Sequence, residues 1–261
     1  MAEKNESKQN VFGIIPARHA STRFPGKMLA DIKGKPLIQW TYENAISSKC
    51  FSDVIIATDS EEIFKVCESF NAKVVMTRID HPTGTDRIIE VARGLDQVRE
   101  DSIILGVQGD EPFVSKSTFE SLISALKEDL SCEMGTSAYI LTDKEKINNP
   151  SFVKCLVDKN GYALYFSRAP VPYTQKETTD LPFTHLGHLG IYAFRWHFLK
   201  KYKDLSPTPL FLQEDLEQLK VLEHGYKIKV VIVQGEEEGL GVNEKEDIKA
   251  VEDYLCKQNI F

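Results

Sequence analysis

The 261 residues are 42% apolar and carry a formal charge of −7. That length and apolar share suffice for one large α/β domain with its own core, and the net acidity excludes a protein that binds nucleic acid over its whole surface, so any polyanion site must be local. No apolar run approaches the ~18 residues of a membrane span and the opening MAEKNESKQN lacks an apolar h-region, so a cytoplasmic protein without membrane insertion is expected.

Residues 1–10 are polar and read as a disordered extension ahead of one domain over 11–255. From Val11 short apolar runs alternate with helical patterns: 11-VFGII-15, 36-PLIQWTYENAIS-47, 53-DVIIAT-58, 61-EEIFKVCESF-70, 73-KVVM-76, a helix near 86-DRIIEVARG-94, the strand 102-SIILGVQ-108 and a helix near 117-STFESLISALKE-128. Such alternation predicts βαβ units in a doubly wound, mostly parallel sheet, with 11–150 as a nucleotide-binding half. The pattern then changes. Residues 152-FVKCLVDKNGYALYFSR-168 alternate on either side of Asn160-Gly161, a hairpin signal, which makes 151–210 an antiparallel insert. Within it 171-VPYTQKETTDLPFT-184 reads as a mobile loop and 188-HLGIYAF-194 as a strand. The stretches 196-WHFLKKY-202, 214-EDLEQLKVLEHG-225, 227-KIKVVIV-233 and 246-EDIKAVEDYL-255 give helix, helix, strand and helix, and 211–255 returns to the core. Cys50, Cys67, Cys132, Cys155 and Cys256 lie far apart with no C-x-x-C pair, so reduced, mostly buried thiols are expected rather than disulfides or a zinc site.

Against the acidic background, 16-PARHASTRFPGKML-29 crowds Arg18, Arg23 and Lys27 into a loop broken by Pro16, Pro25 and Gly26, directly after the first strand. Open α/β sheets bind ligands beyond the carboxyl ends of their strands. Neither G-x-x-x-x-G-K-[ST] nor G-x-G-x-x-G is present, so side chains would have to neutralise phosphates: arginine forks and an exposed lysine point charge. A solvated basic loop with structural prolines is the alternative.

The run G-I-I-P-A-R-x-x-S-T-R-F-P-G-K over 13–27, followed by 34-GKPL-37, resembles the start of the sugar nucleotidyltransferases and, among them, the CMP-sugar synthetases. The stretches 57-ATD-59, 76-MTRIDHPTGTDR-87, 107-VQGDEP-112, 161-GYALYFSRAP-170, 188-HLGIYAF-194 and 217-EQLKVLEHG-225 are similar, in the same order, to the branch acting on 3-deoxy-D-manno-octulosonate (Kdo). The likeness covers about residues 11 to 255. It implies a nucleotide-diphospho-sugar transferase fold and a homodimer. It also implies Mg²⁺-assisted transfer of CMP from CTP to the anomeric hydroxyl of Kdo, releasing pyrophosphate and yielding CMP-Kdo for lipopolysaccharide biosynthesis. Another acidic sugar, such as sialic acid or an amino analogue of Kdo, and a weakened nucleotide-binding homologue are the alternatives.

By the resemblance Arg18 and Lys27 hold the triphosphate, while Arg23 is a helper or a loop clasp. By itself 83-TGTDR-87 is a turn and helix start with Thr85 or Asp86 as cap; the resemblance has it read cytosine through Thr83, the backbone at Gly84, and Arg87. Asp110 stands at the end of a strand where a metal ligand would meet the triphosphate, and Mg²⁺ favours one or two carboxylates plus substrate oxygens. Arg18, Lys27 and Asp110 thus form the expected catalytic set. The resemblance also implies Gln108, Arg168, His188, Tyr192, Glu217 and Gln218 around the sugar, whose carboxylate and hydroxyls suit a cation and hydrogen-bonding groups; by themselves these are structural residues, with Glu217 a helix-surface charge. In 185-HLGHLG-190 the tripeptide occurs twice; the following Ile191-Tyr192-Ala193-Phe194 selects His188 and leaves His185 as a loop residue. One position departs from the pattern: 239-GLGVNEKEDI-248 supplies Asn243 where the resemblance implies a second metal carboxylate, so either the second ion is held weakly, or Glu244 or another nearby acid serves, or the activity has changed. The insert after residue 150 is expected to carry the dimer contact, because a sheet edge or apolar face there needs covering.

Overall fold

The computed structural model of the chain describes residues 10–19, 24–173, 185–234 and 240–258. The first strand, β1 (Val11–Ala17), is buried at every position, as a strand covered on both faces must be. The loop after it re-enters through Gly26, whose φ of 71° suits glycine, into a 3-10 turn at Lys27–Leu29. A small hairpin, β2 (Asp31–Ile32) and β3 (Lys35–Pro36), leads to α1 (Leu37–Ser48). The alternation then runs β4 (Asp53–Thr58), α2 (Glu61–Ser69), β5 (Val74–Met76), α3 (Gly84–Arg93), β6 (Ile103–Gly106) and α4 (Lys116–Glu128), close to the elements expected from periodicity. Ser60 and Ser115 accept backbone N–H groups at the starts of α2 and α4, which closes two of the orphan donors there.

Next come β7 (Met134–Leu141), α5 (Lys144–Asn148), β8 (Lys154–Val157), β9 (Ala163–Ser167) and β10 (His185–Arg195). The chain finishes with α6 (Trp196–Tyr202), α7 (Pro209–Glu214), α8 (Glu217–Glu223), β11 (Ile228–Val233) and α9 (Asp247–Lys257). The main sheet is ordered β11-β7-β10-β6-β1-β4-β5, with β8 attached to β10 and β9 to β8. Strand β1 lies parallel to both neighbours and β11 parallel to β7, whereas β10 runs antiparallel to β6 and β7. This is a mixed, mostly parallel α/β sheet of the nucleotidyltransferase kind, and β10 brings the 151–210 stretch into its middle.

Besides the added β2–β3 hairpin, α5 and α7, two features differ from the sequence expectation. Strand β7 is an element that periodicity passes over, because Gly135, Thr136 and Ser137 break its apolar pattern; Thr136 and Ser137 are nonetheless fully buried between β10 and β11. His185 is not a loop residue: it opens β10 and pairs with Leu141. The register of β10 on β7 is irregular between Leu189 and Tyr192, a bulge beside Gly190. The hairpin turn forms where Asn160-Gly161 marks it, with Gly161 at φ 77°. Residues 1–9, Arg23 and most of the expected loop at 171–184 lie outside the described residues.

Packing on one sheet face gathers Ile88, Phe198 and Leu219, and on the other Ile38, Phe119 and Leu122. A third, smaller cluster of Ile32, Leu37, Trp40, Val242, Val251 and Leu255 pins α9 beside the β2–β3 hairpin. Among the described residues no helix is long and apolar enough to cross a membrane. All five cysteines are free thiols, with Cys67, Cys132 and Cys155 buried, Cys50 partly so and Cys256 exposed.

Candidate active site

The carboxyl ends of β1 and β6, the start of α3 and the segment 215–218 enclose a cleft of about 420 Å³. Arg18, Lys27, Thr83, Gly84, Arg87, Gln108, Asp110, Arg168, Tyr192, Glu217 and Gln218 all line it. A second cleft of about 500 Å³ adjoins it, sharing Gly190, Tyr192, Leu216 and Gln218 as the dividing wall. His188, Asn243 and Glu244 face that second space. Eleven of the fourteen expected site residues thus meet in the first cleft and two in the second, while Arg23 is outside the described residues.

On the β1 side the cations are held by acids. Lys27 Nζ donates to Asp110 Oδ2 at 2.5 Å, with the lysine side chain 8% and the aspartate 26% exposed. Lys27 is therefore not the solvent-facing loop cation that its setting in the sequence suggests; in the 3-10 turn it is buried against Asp110. Thr41 Oγ1 donates to Gly109 O at 2.8 Å, which fixes the Asp110 turn to α1. Arg87 is buried, and its Nη2 donates to Asp59 Oδ2 at 2.7 Å. Its Nη1 donates to Thr77 Oγ1 and to Arg78 O. Thr83 is the cap of α3, accepting from Asp86 N at 3.2 Å and donating to Asp86 Oδ2 at 2.8 Å. The cap is thus neither Thr85 nor Asp86, since the extended residue ahead of the helix is Thr83.

On the β10 side the cations rest on carbonyl oxygens instead. Arg168 donates from Nε to Glu214 O at 2.7 Å, from Nη1 to Pro150 O at 3.1 Å and from Nη2 to Asp215 O at 3.3 Å. The Glu214 carboxylate accepts from Arg168 N, Ser167 and Tyr165; burial pushes its pKa up, but these hydrogen bonds outweigh burial and hold it below the usual value. Lys154 is fully buried, and Nζ donates to Asn149 O, Phe152 O and Arg168 O at 3.1, 2.6 and 2.7 Å. Its three protons have three acceptors, while burial keeps its pKa below that of an ordinary lysine.

His188 stacks edge-on against Phe166 at 4.9 Å, and burial lowers its pKa to about 3. Tyr192 OH donates to Gln218 Oε1 at 3.0 Å. That leaves Gln218 Nε2 buried and without a hydrogen-bond partner among the described residues, at a residue that lines both clefts. Glu217 accepts from Tyr202 OH at 3.0 Å, and burial raises its carboxyl pKa.

The departing position is beside this site. Val242 N donates to Asp110 O at 2.9 Å, and the Glu111 carboxylate packs against Gly241, where a Cβ would come within 2.5 Å of Glu111 Oε1 and push that side chain aside. Asn243 N and Glu244 N both donate to Asp247 Oδ2, at 2.7 and 2.8 Å. Sequence reasoning missed several supporting residues. Asp59 could have been found, being an acid directly after a strand in 57-ATD-59. Thr136, Lys154 and Glu214 have no local signal, because their partners are distant in the chain.

A family model described as Cytidylyltransferase matches residues 12–228, and the chain belongs to that family. Within it, the chain falls among the 3-deoxy-manno-octulosonate cytidylyltransferases. It is 48% identical to the one from Protochlamydia amoebophila over 98% of both chains, and 46% identical to that of Acaryochloris marina over 92% of this chain and 94% of the other. A solved structure of CMP:2-keto-3-deoxy-manno-octonic acid synthetase complexed with CTP superimposes with a TM-score of 0.87 at 33% identity, covering 96% of this chain and all of that one. The 4-diphosphocytidyl-2C-methyl-D-erythritol synthase of Anaerococcus prevotii shares the fold at 17% identity and a TM-score of 0.61, over 95% of this chain and 99% of that one.

Proposed function

We infer that the protein transfers CMP from CTP to the anomeric hydroxyl of Kdo and releases pyrophosphate, supplying CMP-Kdo for lipopolysaccharide biosynthesis. The observation that carries this reading is the convergence of the Arg18–Lys27 loop, Asp110 and Arg168 on one cleft. The sugar oxygen forms a bond to the α-phosphorus while the bond to the bridging oxygen breaks. Its electron pair leaves on pyrophosphate, and the hydroxyl proton passes to water. Such transfer leaves the protein mainly positioning and charge stabilisation to perform.

Arg18 and Lys27 hold the triphosphate and meet the charge that grows on the leaving group. Arg87, locked by Asp59 and Thr77, offers its remaining donors to cytosine together with Thr83 and the backbone at Gly84. Arg168 takes the sugar carboxylate: all three of its side-chain hydrogen bonds go to carbonyls. The open Gln218 Nε2 donates to a sugar oxygen, and Gln108, Tyr192, Glu217 and His188 complete the acceptor site. Asp110 suits Mg²⁺, because its partly exposed carboxylate lines the cleft beside Lys27 and Mg²⁺ is commonly bound by one or two carboxylates with substrate oxygens and water. When bound, that ion neutralises phosphate charge; Asn243 is the candidate for a second contact.

The protein acts as a cytoplasmic homodimer through the β8–β9 hairpin, where among the described residues β9 pairs in the sheet with β8 alone and Leu164 is 62% exposed; a light-scattering mass of one chain would contradict this. The activity is tested by incubating the protein with CTP, Mg²⁺ and Kdo and following pyrophosphate, with sialic acid and an amino analogue of Kdo in parallel. Faster turnover of either of those sugars, or no pyrophosphate from Kdo, would overturn the reading.

A further inference from the structure

The hydroxyl of Thr136 sits in the bulge of β10 with three polar neighbours: Ile191 O at 2.8 Å, Leu189 O at 3.3 Å and His188 Nε2 at 2.9 Å. A hydroxyl has one proton and carbonyl oxygens can only accept. The proton therefore goes to a carbonyl, the nearer being Ile191 O, and toward the imidazole Thr136 presents a lone pair. Were the proton turned to His188 instead, two carbonyl oxygens would face a bare oxygen in a fully buried pocket, an unfavourable arrangement in a low-dielectric interior. His188 Nε2 must then carry hydrogen. Because burial against Phe166 and Tyr192 keeps the ring neutral, Nδ1 carries none. Nδ1 has no hydrogen-bond partner among the described residues, and the ring lines the second cleft.

We propose that Thr136 is a positioning residue that locks His188 in its Nε2–H tautomer, so that Nδ1 faces the acceptor cleft as a hydrogen-bond acceptor for a sugar hydroxyl. The proposal rests on the reading of that cleft as part of the sugar site. It divides acceptor recognition: Arg168 meets the carboxylate, and His188, neutral and lacking a free donor, rejects a carboxylate and selects a hydroxyl. The bulge is what makes this possible, since it turns the carbonyls of Leu189 and Ile191 toward one hydroxyl of β7.

The test uses the full-length protein labelled with ¹⁵N-histidine, the His188 signals being assigned by their loss in His188→Gln. Long-range ¹H–¹⁵N spectra of the parent should show a protonated Nε2 and an unprotonated Nδ1, unchanged between about pH 5.5 and 8.5, well above a pKa of about 3. Thr136→Ser, which keeps the hydroxyl, should preserve both the tautomer and the kinetics. Thr136→Val, which removes it, should give mixed tautomers and raise KM for Kdo about tenfold, the loss of one hydrogen bond, with KM for CTP unchanged. A parent with Nδ1–H or a charged His188 overturns the proposal, and so does a folded Thr136→Val with the parent's tautomer and KM. Should Thr136→Val not fold, the parent and Thr136→Ser spectra decide alone. If the parent forms no pyrophosphate from Kdo, the assigned activity fails, while the spectra still decide the role of Thr136.

Discussion

The two walls of the cleft hold their cations in opposite ways. On the β1 wall Lys27 and Arg87 each face a carboxylate, Asp110 and Asp59; on the β10 wall Arg168 faces carbonyl oxygens, as does Lys154, buried outside the cleft and donating to Arg168 O. On the function proposed above, the difference suits what each wall receives. A triphosphate with its metal brings several charges of both signs, and paired ions on that wall keep the free protein from carrying unbalanced charge in a buried place. A sugar acid brings one carboxylate, and an arginine whose guanidinium donates to carbonyl oxygens, while the Glu214 carboxylate is engaged at its backbone N–H, has its geometry set in advance.

The largest effect should come from breaking a pair on the β1 wall. Asp59→Ala leaves the Arg87 guanidinium, only 3% exposed at its side chain, buried without its acid, and such a loss costs about 3–5 kcal/mol; denaturant titration should register it, and a midpoint equal to the parent's would show the pair to be idle. Lys27→Ala should lower kcat by about 10²–10³, the range for removing one group that stabilises developing charge. Since Lys27 is itself buried on Asp110, some loss of stability should accompany it. Activity within twofold of the parent would remove Lys27 from the triphosphate site.

On the β10 wall the expected loss is in recognition. Arg168→Ala should raise KM for the sugar by about 10–100-fold, the value of a hydrogen bond to a charged group, and KM for CTP much less. A larger change for CTP would mean that the two walls are wrongly assigned. Smaller still is the effect at the junction. If Asn243 occupies a metal-ligand position, Asn243→Asp should lower the half-saturating Mg²⁺ about tenfold, or ~1.4 kcal/mol, because affinity depends on charged ligands. If Glu244 has taken over, Glu244→Gln should instead collapse activity. A Mg²⁺ titration in which neither variant departs from the parent would leave Asp110, substrate oxygens and water as the ligands.

The contrast between the walls also marks how much was legible. The meeting of Arg18, Lys27, Thr83, Arg87 and Asp110 in one cleft could be read from sequence, since they lie in continuous stretches after strands that match a family pattern, at strand ends where open α/β sheets bind ligands. Their pairing partners were less visible: Asp59 follows a strand end but gives no sign of which cation it holds. The β10 wall was legible only as residue names. Its arrangement depends on β7, whose polar residues hide it from an apolar-pattern search, and on the bulge, which register alone reveals. Lys154 reads as an ordinary strand lysine until Arg168 O, Asn149 O and Phe152 O are seen around it.

Glu217 stands between the two walls and gives the finest test of the comparison. Burial pushes its carboxyl above the ordinary value, with hydrogen bonds from Thr85 and Tyr202 opposing, Asp86 adding to the rise and Lys220 reducing it. The folded protein therefore keeps this proton to a higher pH than the unfolded chain does. Stability from the protonated form is present below the unfolded value of about 4.3 and is lost as pH rises through the folded one, because the fold must then bury a charge that water would solvate. Glu217→Gln removes that charge and keeps an oxygen for Tyr202. At pH 8 the variant should be more stable than the parent by about 1 kcal/mol, the scale on which a functional group is held at the expense of stability, and the gap should close toward pH 4. Thermal melts at the two pH values measure this, and Kdo turnover by the same variant should fall, since the sugar loses its charged acceptor. A variant less stable than the parent at pH 8 would instead make Glu217 a structural carboxylate, satisfied by Thr85 and Tyr202 and belonging to neither wall.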